Sequence, residues 1–338
     1  MREQCGSRSA FVTGGTGFVG ANLVRALLKD GWRVRALARP NSDRRNLDGL
    51  DVEIVEGDLL SPDLADGMRG ADAVFHVAAL YSLWRRDADA LARTNVLGTK
   101  NVLQAARDAC VPRTVYTSSV AAIGVKAGGV ADEAYQSPPD ILIGAYKRSK
   151  YYAEQEALAA ARAGQDVVIA SPTTPIGPWD RKPTPTGDIL VRFLTGRMPA
   201  VVATGLNFVD VADVARGHIL AYEHGRAGER YILGGENLSL LELLRRIGAA
   251  SGRRPPRVTL PLWLPLGIAW LGETFFSRLG LEPKIPLEGV RMSRQAMYYD
   301  ASKAKRDLGY EAGPLDVAIR EAIEWFARNG YLLRKRTA

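Results

Sequence analysis

Cysteine is nearly absent from this chain: its 338 residues hold two, Cys5 and Cys110. Two thiols cannot build a disulfide framework or a cysteine metal cluster, so no metal centre is expected and a reducing compartment, the cytoplasm, is. The opening residues lack an apolar run, because Met1 to Ser9 carries Arg2, Glu3 and Arg8, and no secretory leader is expected. Long hydrophobic segments are missing too. The most apolar stretch, Val258 to Gly272, is fifteen residues long and interrupted by Pro261 and Pro265, short of the ~20 that span a bilayer. No period of 20 to 50 residues recurs and no segment is of low complexity. The net charge is +8, but the 45 basic residues are dispersed, with only short clusters such as Arg253-Arg254 and Arg334-Lys335-Arg336, so nucleic acid is not an expected partner. What remains, 46% hydrophobic and 24% charged, is the composition of a soluble enzyme with one large domain, or a large and a small one.

Ser9 to Thr13 reads as a short apolar strand. It runs into Gly14-Gly15-Thr16-Gly17-Phe18-Val19-Gly20 and then a helical pattern through Leu23, Val24, Leu27 and Leu28. Strand, glycine turn and helix in that order make a cradle for a dinucleotide: Gly14 turns sharply, Gly17 lets the backbone approach a pyrophosphate, and Gly20 packs the helix on the sheet. The next strand, Arg33 to Ala38, ends on Arg39 where an acidic residue would bind a ribose 2′-hydroxyl. A guanidinium there, with Arg44 or Arg45, suits a 2′-phosphate, so NADP(H) is favoured over NAD(H). A third strand, Val52 to Val55, closes on Gly57-Asp58-Leu59, where Asp58 is expected to accept from the adenine amino group. The fourth, Val74 to Ala79, brings the small residues Val77, Ala78 and Ala79 to the cofactor, and His76 within it reads as structural. Asn95 opens a helix and would brace the active-site helix or a proton-relay water. The fifth strand, Thr114 to Thr117, leads to Ser118-Ser119 at the carboxyl end of the sheet, where open α/β sheets bind ligands. Alternating strands and helices over the first 170 residues predict a doubly wound parallel sheet.

Tyr146-Lys147-Arg148-Ser149-Lys150 sets a tyrosine and a lysine four apart, on one face of a helix. An ammonium beside a phenol favours the phenolate, so the pKa of Tyr146 is expected to fall toward neutrality and the phenol to exchange protons with a substrate hydroxyl.

Together these residues resemble the extended short-chain dehydrogenase/reductase superfamily, over nearly the whole chain. The motifs are Gly14, Gly17 and Gly20, the Gly-Asp-Leu ending at Leu59, the serine after the fifth strand, and Tyr-x-x-x-Lys. The resemblance implies an α/β fold, a Rossmann domain over 1–178 with returns at about 206–226 and 296–303, and a smaller, discontinuous substrate-binding domain over 179–205 and 227–338. It implies Tyr146 as general acid/base, Lys150 on the nicotinamide ribose, Ser119 holding the reacting oxygen with Ser118 as fallback, and a loop from Ser171 to Pro178 closing Pro172, Thr173 and Thr174 over the nicotinamide. It also implies a homodimer. Within the superfamily the chain is similar to hopanoid-associated sugar epimerases and dihydroflavonol 4-reductases, through Arg39 to Leu47, Lys182 to Gly187, Gly196-Arg197-Met198-Pro199 and Arg230 to Asn237. Three activities stay open: net reduction of a ketone or oxidation of an alcohol, epimerisation of a sugar by transient oxidation, and non-catalytic NADP sensing. Arg39 favours the first, with a sugar-like or polycyclic small molecule as substrate. The apolar stretch and Phe275-Phe276 after it read as a buried helix capping the substrate domain. The less favoured reading is a lid, lined by Trp263 and Trp270, touching a lipid-like substrate or a membrane surface.

Overall fold

A computed structural model describes residues 7–278 and 287–333; Cys5 and the cluster Arg334-Lys335-Arg336 fall outside them. Seven strands form the central sheet: β1 (Ser9–Thr13), β2 (Arg33–Ala38), β3 (Val52–Glu56), β4 (Ala73–His76), β5 (Arg113–Thr117), β6 (Val167–Pro172) and β7 (Arg230–Leu233). Their order is β7-β6-β5-β4-β1-β2-β3 and every pairing is parallel. The order reverses at β1, so a crevice opens beyond the carboxyl ends of β1 and β4. Parallel strands covered on both faces read as unbroken apolar runs, and β1, β4 and β6 are buried throughout. Successive side chains alternate between the two layers. Val12, Phe75 and Val115 pack with Leu23, Leu27 and Ile219 on one face, whereas Phe11 and Val74 pack with Met68, Val102 and Ala106 on the other.

Two strand expectations shift. The fourth strand stops at His76 instead of reaching Ala79, because the N–H groups of Val77 and Ala78 turn onto Thr13, bonding its carbonyl and its hydroxyl at 3.2 Å each. The seventh strand arises within the stretch expected to build the substrate domain: Arg230–Leu233 extends the main sheet beside β6. A second, smaller layer holds Thr174–Ile176, Gly205–Asp210 and Glu236–Ser239 in one three-stranded sheet. Helices Pro185–Leu194, Leu240–Ser251 and Leu315–Arg328 enclose its own core around Phe193, Leu244, Ile319 and Phe326.

Three helices matter below: α1 (Phe18–Lys29), α2 (Gly144–Arg162) and α3 (Trp263–Arg278). The buried-helix reading of the apolar stretch is overturned. Val258–Leu260 is a strand paired with Ala200–Val202, and α3 follows with Pro265 in its first turn, where no intrahelical N–H bond is lost. Ala269 is buried, but Trp263, Ile268, Trp270, Leu271 and Phe275 face outward, because among the described elements α3 packs mainly on one short helix, Leu287–Met292.

Candidate active site

The crevice is built first by the glycine turn. Gly14 has φ +72°, and a Cβ there would come within 2.6 Å of the Ala78 nitrogen, so only glycine lets the turn sit against the end of β4. A Cβ on Gly20 would land on the Gly14 carbonyl oxygen. The N-cap of α1 is Gly17, without a side-chain cap, and the first turn carries no acid. Its leading N–H groups, from Phe18 to Gly20, therefore face the crevice with a positive helix end and no competing carboxylate. A pyrophosphate fits this cradle. Sequence reasoning missed what clamps it. Buried Asn46 donates to the carbonyls of Thr16 and Trp179, both at 3.0 Å, and Asn22 donates to those of Phe18 and Pro178 at 2.9 and 3.0 Å. Two amides thus tie the turn to the chain that leaves the second layer, a link of more than a hundred residues with no local pattern to betray it.

Arg39 lies exposed just past β2 and forms no ion pair among the described residues. Arg44 is held by Glu56 at 2.5 Å and Arg45 by Asp43 at 2.6 Å. The hydrogen bond from Arg45 draws the Asp43 carboxyl down to about 2. Of the three arginines, Arg39 is the one free to meet a phosphate. Asp58, exposed at the end of β3, accepts from the Leu60 N–H at 3.1 Å, while Leu59 is buried against Gly98. His76 sits between Thr13 (2.7 Å) and Thr99 (3.0 Å), and burial pushes it down to about 3. It stays neutral and joins β1, β4 and the helix Gly98–Asp108.

At the end of β5 the two serines diverge. Ser118 donates to Glu154, which is fully buried and paired with Arg230. Ser119 caps the short helix that follows, accepting from the Ala121 N–H at 3.1 Å, and lies beside the phenol of Tyr146, whose pKa it draws down. The expected lysine effect on this phenol is not what the structure gives. Burial pushes Tyr146 up to about 12, opposed by Ser119. The Lys150 ammonium is spent on the Thr117 carbonyl at 2.8 Å, and burial pulls it down to about 8 against the pull of Glu154. Desolvation outweighs the Ser119 hydroxyl at Tyr146 and the Glu154 charge at Lys150, and the phenol is protonated at neutral pH. Lys147, also buried and down to about 8, meets among the described residues only the Met297 sulfur, at 3.7 Å.

Asn95 lies in a π-helical turn, Ala92–Leu97. Both its amide protons are engaged, one by the Leu80 carbonyl and one by the Ser149 hydroxyl, each at 2.9 Å. Ser149 in turn donates to the Tyr146 carbonyl at 2.8 Å. Of the two roles expected of Asn95, this geometry serves bracing of α2; its amide protons are not available to a relay water. The Ser171 to Pro178 loop is a second correction. Ser171 and Pro172 stay in β6 and Thr174–Ile176 joins the second sheet, leaving Thr173 as the bend, its N–H on the Leu233 carbonyl at 3.2 Å. Sequence reasoning also missed Tyr81, whose ring packs on Tyr146. Beyond Tyr81 lies Glu288, with one buried carboxylate oxygen lacking a partner among the described residues. It lines a cavity of about 290 Å³ together with Arg85, Trp270, Glu273, Leu287 and Arg291.

A doubly wound sheet with a glycine cradle at its switch point, a serine after β5, and a tyrosine and a lysine on α2 define an NAD(P)-dependent enzyme of the short-chain dehydrogenase/reductase type. The model of the NAD dependent epimerase/dehydratase family matches residues 10–234, and the chain belongs to that family. It is 57% identical over 327 residues to a Synechocystis protein named "Putative dihydroflavonol 4-reductase", covering 95% of each. It is 36% identical over 329 residues to sterol demethylase protein B of Methylococcus capsulatus, covering 96% of this chain and all of that one. Among solved structures, gox2253 superposes with a TM-score of 0.86 at 44% identity, covering 96% of this chain and 99% of that one. A nucleoside-diphosphate-sugar epimerase from Pseudomonas aeruginosa superposes with a TM-score of 0.81 at 29% identity, over 96% and 99%.

Proposed function

We propose that the protein is an NADP(H)-dependent oxidoreductase that interconverts a ketone and a secondary alcohol on a polycyclic, terpenoid-like lipid of the hopanoid kind, with Tyr146 as general acid/base. The observation that carries this reading is the placement of Tyr146 and Lys150 on one face of α2 against the carboxyl end of β5, where Lys150 donates to the Thr117 carbonyl at 2.8 Å and Ser119 lies beside the phenol. The nicotinamide, when bound, supplies or accepts hydride at the substrate carbon. Tyr146 gives its proton to the carbonyl oxygen in reduction and recovers it in oxidation. Ser119 holds that oxygen by a second hydrogen bond. Lys150, anchored on Thr117, keeps a positive charge beside the site and is aimed at the nicotinamide ribose. Asn95, through Ser149, holds the turn of α2 that carries the phenol. Arg39 supports NADP(H), as the arginine after β2 with no carboxylate of its own. The substrate class is supported by the apolar helix α3 at the rim of the cavity and by the names of the reductase and sterol relatives.

The likeness to the Pseudomonas epimerase favours a second reading, sugar epimerisation, in which Arg291 on the cavity wall would meet a diphosphate. One experiment separates them: purified protein is incubated with NADPH or NADH and a panel of polycyclic ketones and nucleotide sugars, followed at 340 nm and by mass spectrometry. Net NADPH oxidation with a polycyclic ketone is the expected result. Inversion of a sugar without net cofactor turnover would instead establish the epimerase. Full cellular function of Tyr146→Phe would leave only a cofactor sensor.

A further inference from the structure

Helix α3 is the feature the reaction leaves unexplained. Trp263 is 71% exposed, Ile268 52%, Trp270 57%, Leu271 62% and Phe275 63%. At one turn per 3.6 residues these five positions fall in a single arc of about 160°, which also takes in Leu264, Gly267 and Thr274 and, at the last residue of the helix, Arg278. A contiguous apolar face of this kind on a soluble protein marks a surface that another phase or molecule covers. The flanking chain carries charge of one sign: from Gly252 to Arg278 there are four arginines and one acidic residue, Glu273. Arg253, Arg254 and Arg257, just before the strand that leads into α3, are exposed.

We propose that α3 docks the protein on an anionic lipid bilayer. Trp263, Ile268, Leu271 and Phe275 enter the boundary between headgroups and acyl chains, and the preceding arginines meet the lipid phosphates. Tryptophan belongs at that boundary because its ring is apolar and its N–H polar, and arginine keeps its charge in water while its stem lies on apolar surface. No helix among the described residues is long and apolar enough to cross a membrane, so α3 lies in the interface. Charge complementarity selects the occupant. A second copy would bring the same arginines and a chain of net charge +8 face to face, whereas an anionic leaflet attracts both. Docking also has a consequence for the reaction. Trp270 belongs to the exposed face and to the wall of the cavity that also holds Glu288, whose charge reaches Tyr81, the ring packed on Tyr146. A lipid leaving the bilayer beneath α3 therefore meets a cavity that only the Tyr81 ring separates from Tyr146; this second step rests on the proposed reaction, while docking does not.

The test is flotation of the full-length protein with vesicles of phosphatidylcholine alone or with about one third phosphatidylglycerol, without cofactor or substrate. Retention on the anionic vesicles, weakened by salt and accompanied by a blue shift of tryptophan emission, is expected. Trp263→Glu and Leu271→Glu should each lower partitioning about tenfold, with an unchanged circular dichroism spectrum and urea midpoint showing that the fold is intact. Absence of retention, equal retention on neutral vesicles, or wild-type partitioning of both variants overturns the proposal. So does a dimer in sedimentation equilibrium that Leu271→Glu dissolves, which would make α3 a contact between copies. Because vesicle binding is read without turnover, an inactive protein that still floats refutes the proposed reaction and leaves the docking surface standing.

Discussion

The ring of Tyr81 lies 4.5 Å from that of Tyr146, inclined at 61°. This edge-to-face contact puts an aromatic wall between the catalytic phenol and the cavity that holds Glu288, and it adds to the burial that keeps Tyr146 protonated. Removing the wall admits water to the phenol and loosens its direction. Tyr81→Ala is expected to lower kcat/KM for ketone reduction about three- to tenfold, the worth of one such ring pair, while Tyr81→Phe stays near wild type. A full effect in Tyr81→Phe would mean that the Tyr81 hydroxyl, and not the ring, is what matters.

The pH dependence follows from which groups titrate. With its phenol up at about 12, Tyr146 remains a proton donor across the neutral range, so reduction should not be limited by it. Lys150, pulled down to about 8, loses its charge first. Reductive kcat/KM should be flat below that point and fall about tenfold per unit above it, while alcohol oxidation, which needs the phenolate, gains with pH. Lys147 titrates in the same range, and Lys147→Met is the control: the limb persists in that variant if Lys150 is its source.

Cofactor preference hangs on one exposed guanidinium. Arg44 and Arg45 are already paired with carboxylates, so Arg39→Ala should raise KM for NADPH about ten- to a hundredfold, the worth of a charge-assisted contact to phosphate. KM for NADH, which lacks that phosphate, should change little. Equal losses for the two cofactors would remove Arg39 from the 2′-phosphate site.

What could be read from the chain alone was local. Ser9–Thr13 and the glycine turn were visible because a buried parallel strand is a continuous apolar run and the turn after it needs residues without Cβ atoms. Tyr146 and Lys150 were visible because helical spacing sets them on one face. The sign of the Tyr146 shift was not, since it depends on how much protein covers the phenol and on whether Lys150 points to it or to Thr117. The divergence of Ser118 from Ser119 rests on Glu154, thirty-six residues away. Asn22, Asn46 and Tyr81 act through partners far along the chain, and no period in the sequence encodes those. The apolar pattern of α3 misled for a related reason: hydrophobic composition says that a helix seeks cover, not that the protein itself provides it.

Lys147 offers a measurement of what a buried, uncompensated charge costs. It is 4% exposed, bonded among the described residues only to a thioether, and its folded-state value is about 8 against an ordinary 10.5. Because the folded value is the lower one, the unfolded chain binds more protons between pH 8 and 10.5, and stability should rise with pH through that window. Below it the ammonium is charged in both states and the folded protein carries the full penalty, on the order of 2 to 3 kcal/mol. Lys147→Met keeps the stem and the contact with Met297 while deleting the charge. Urea unfolding at pH 7 should therefore show a variant more stable by up to about that amount, with a shallower rise toward pH 10. The rise that survives belongs to Lys150, which shares the window. A destabilised Lys147→Met would mean that this ammonium has an anionic partner in the working protein.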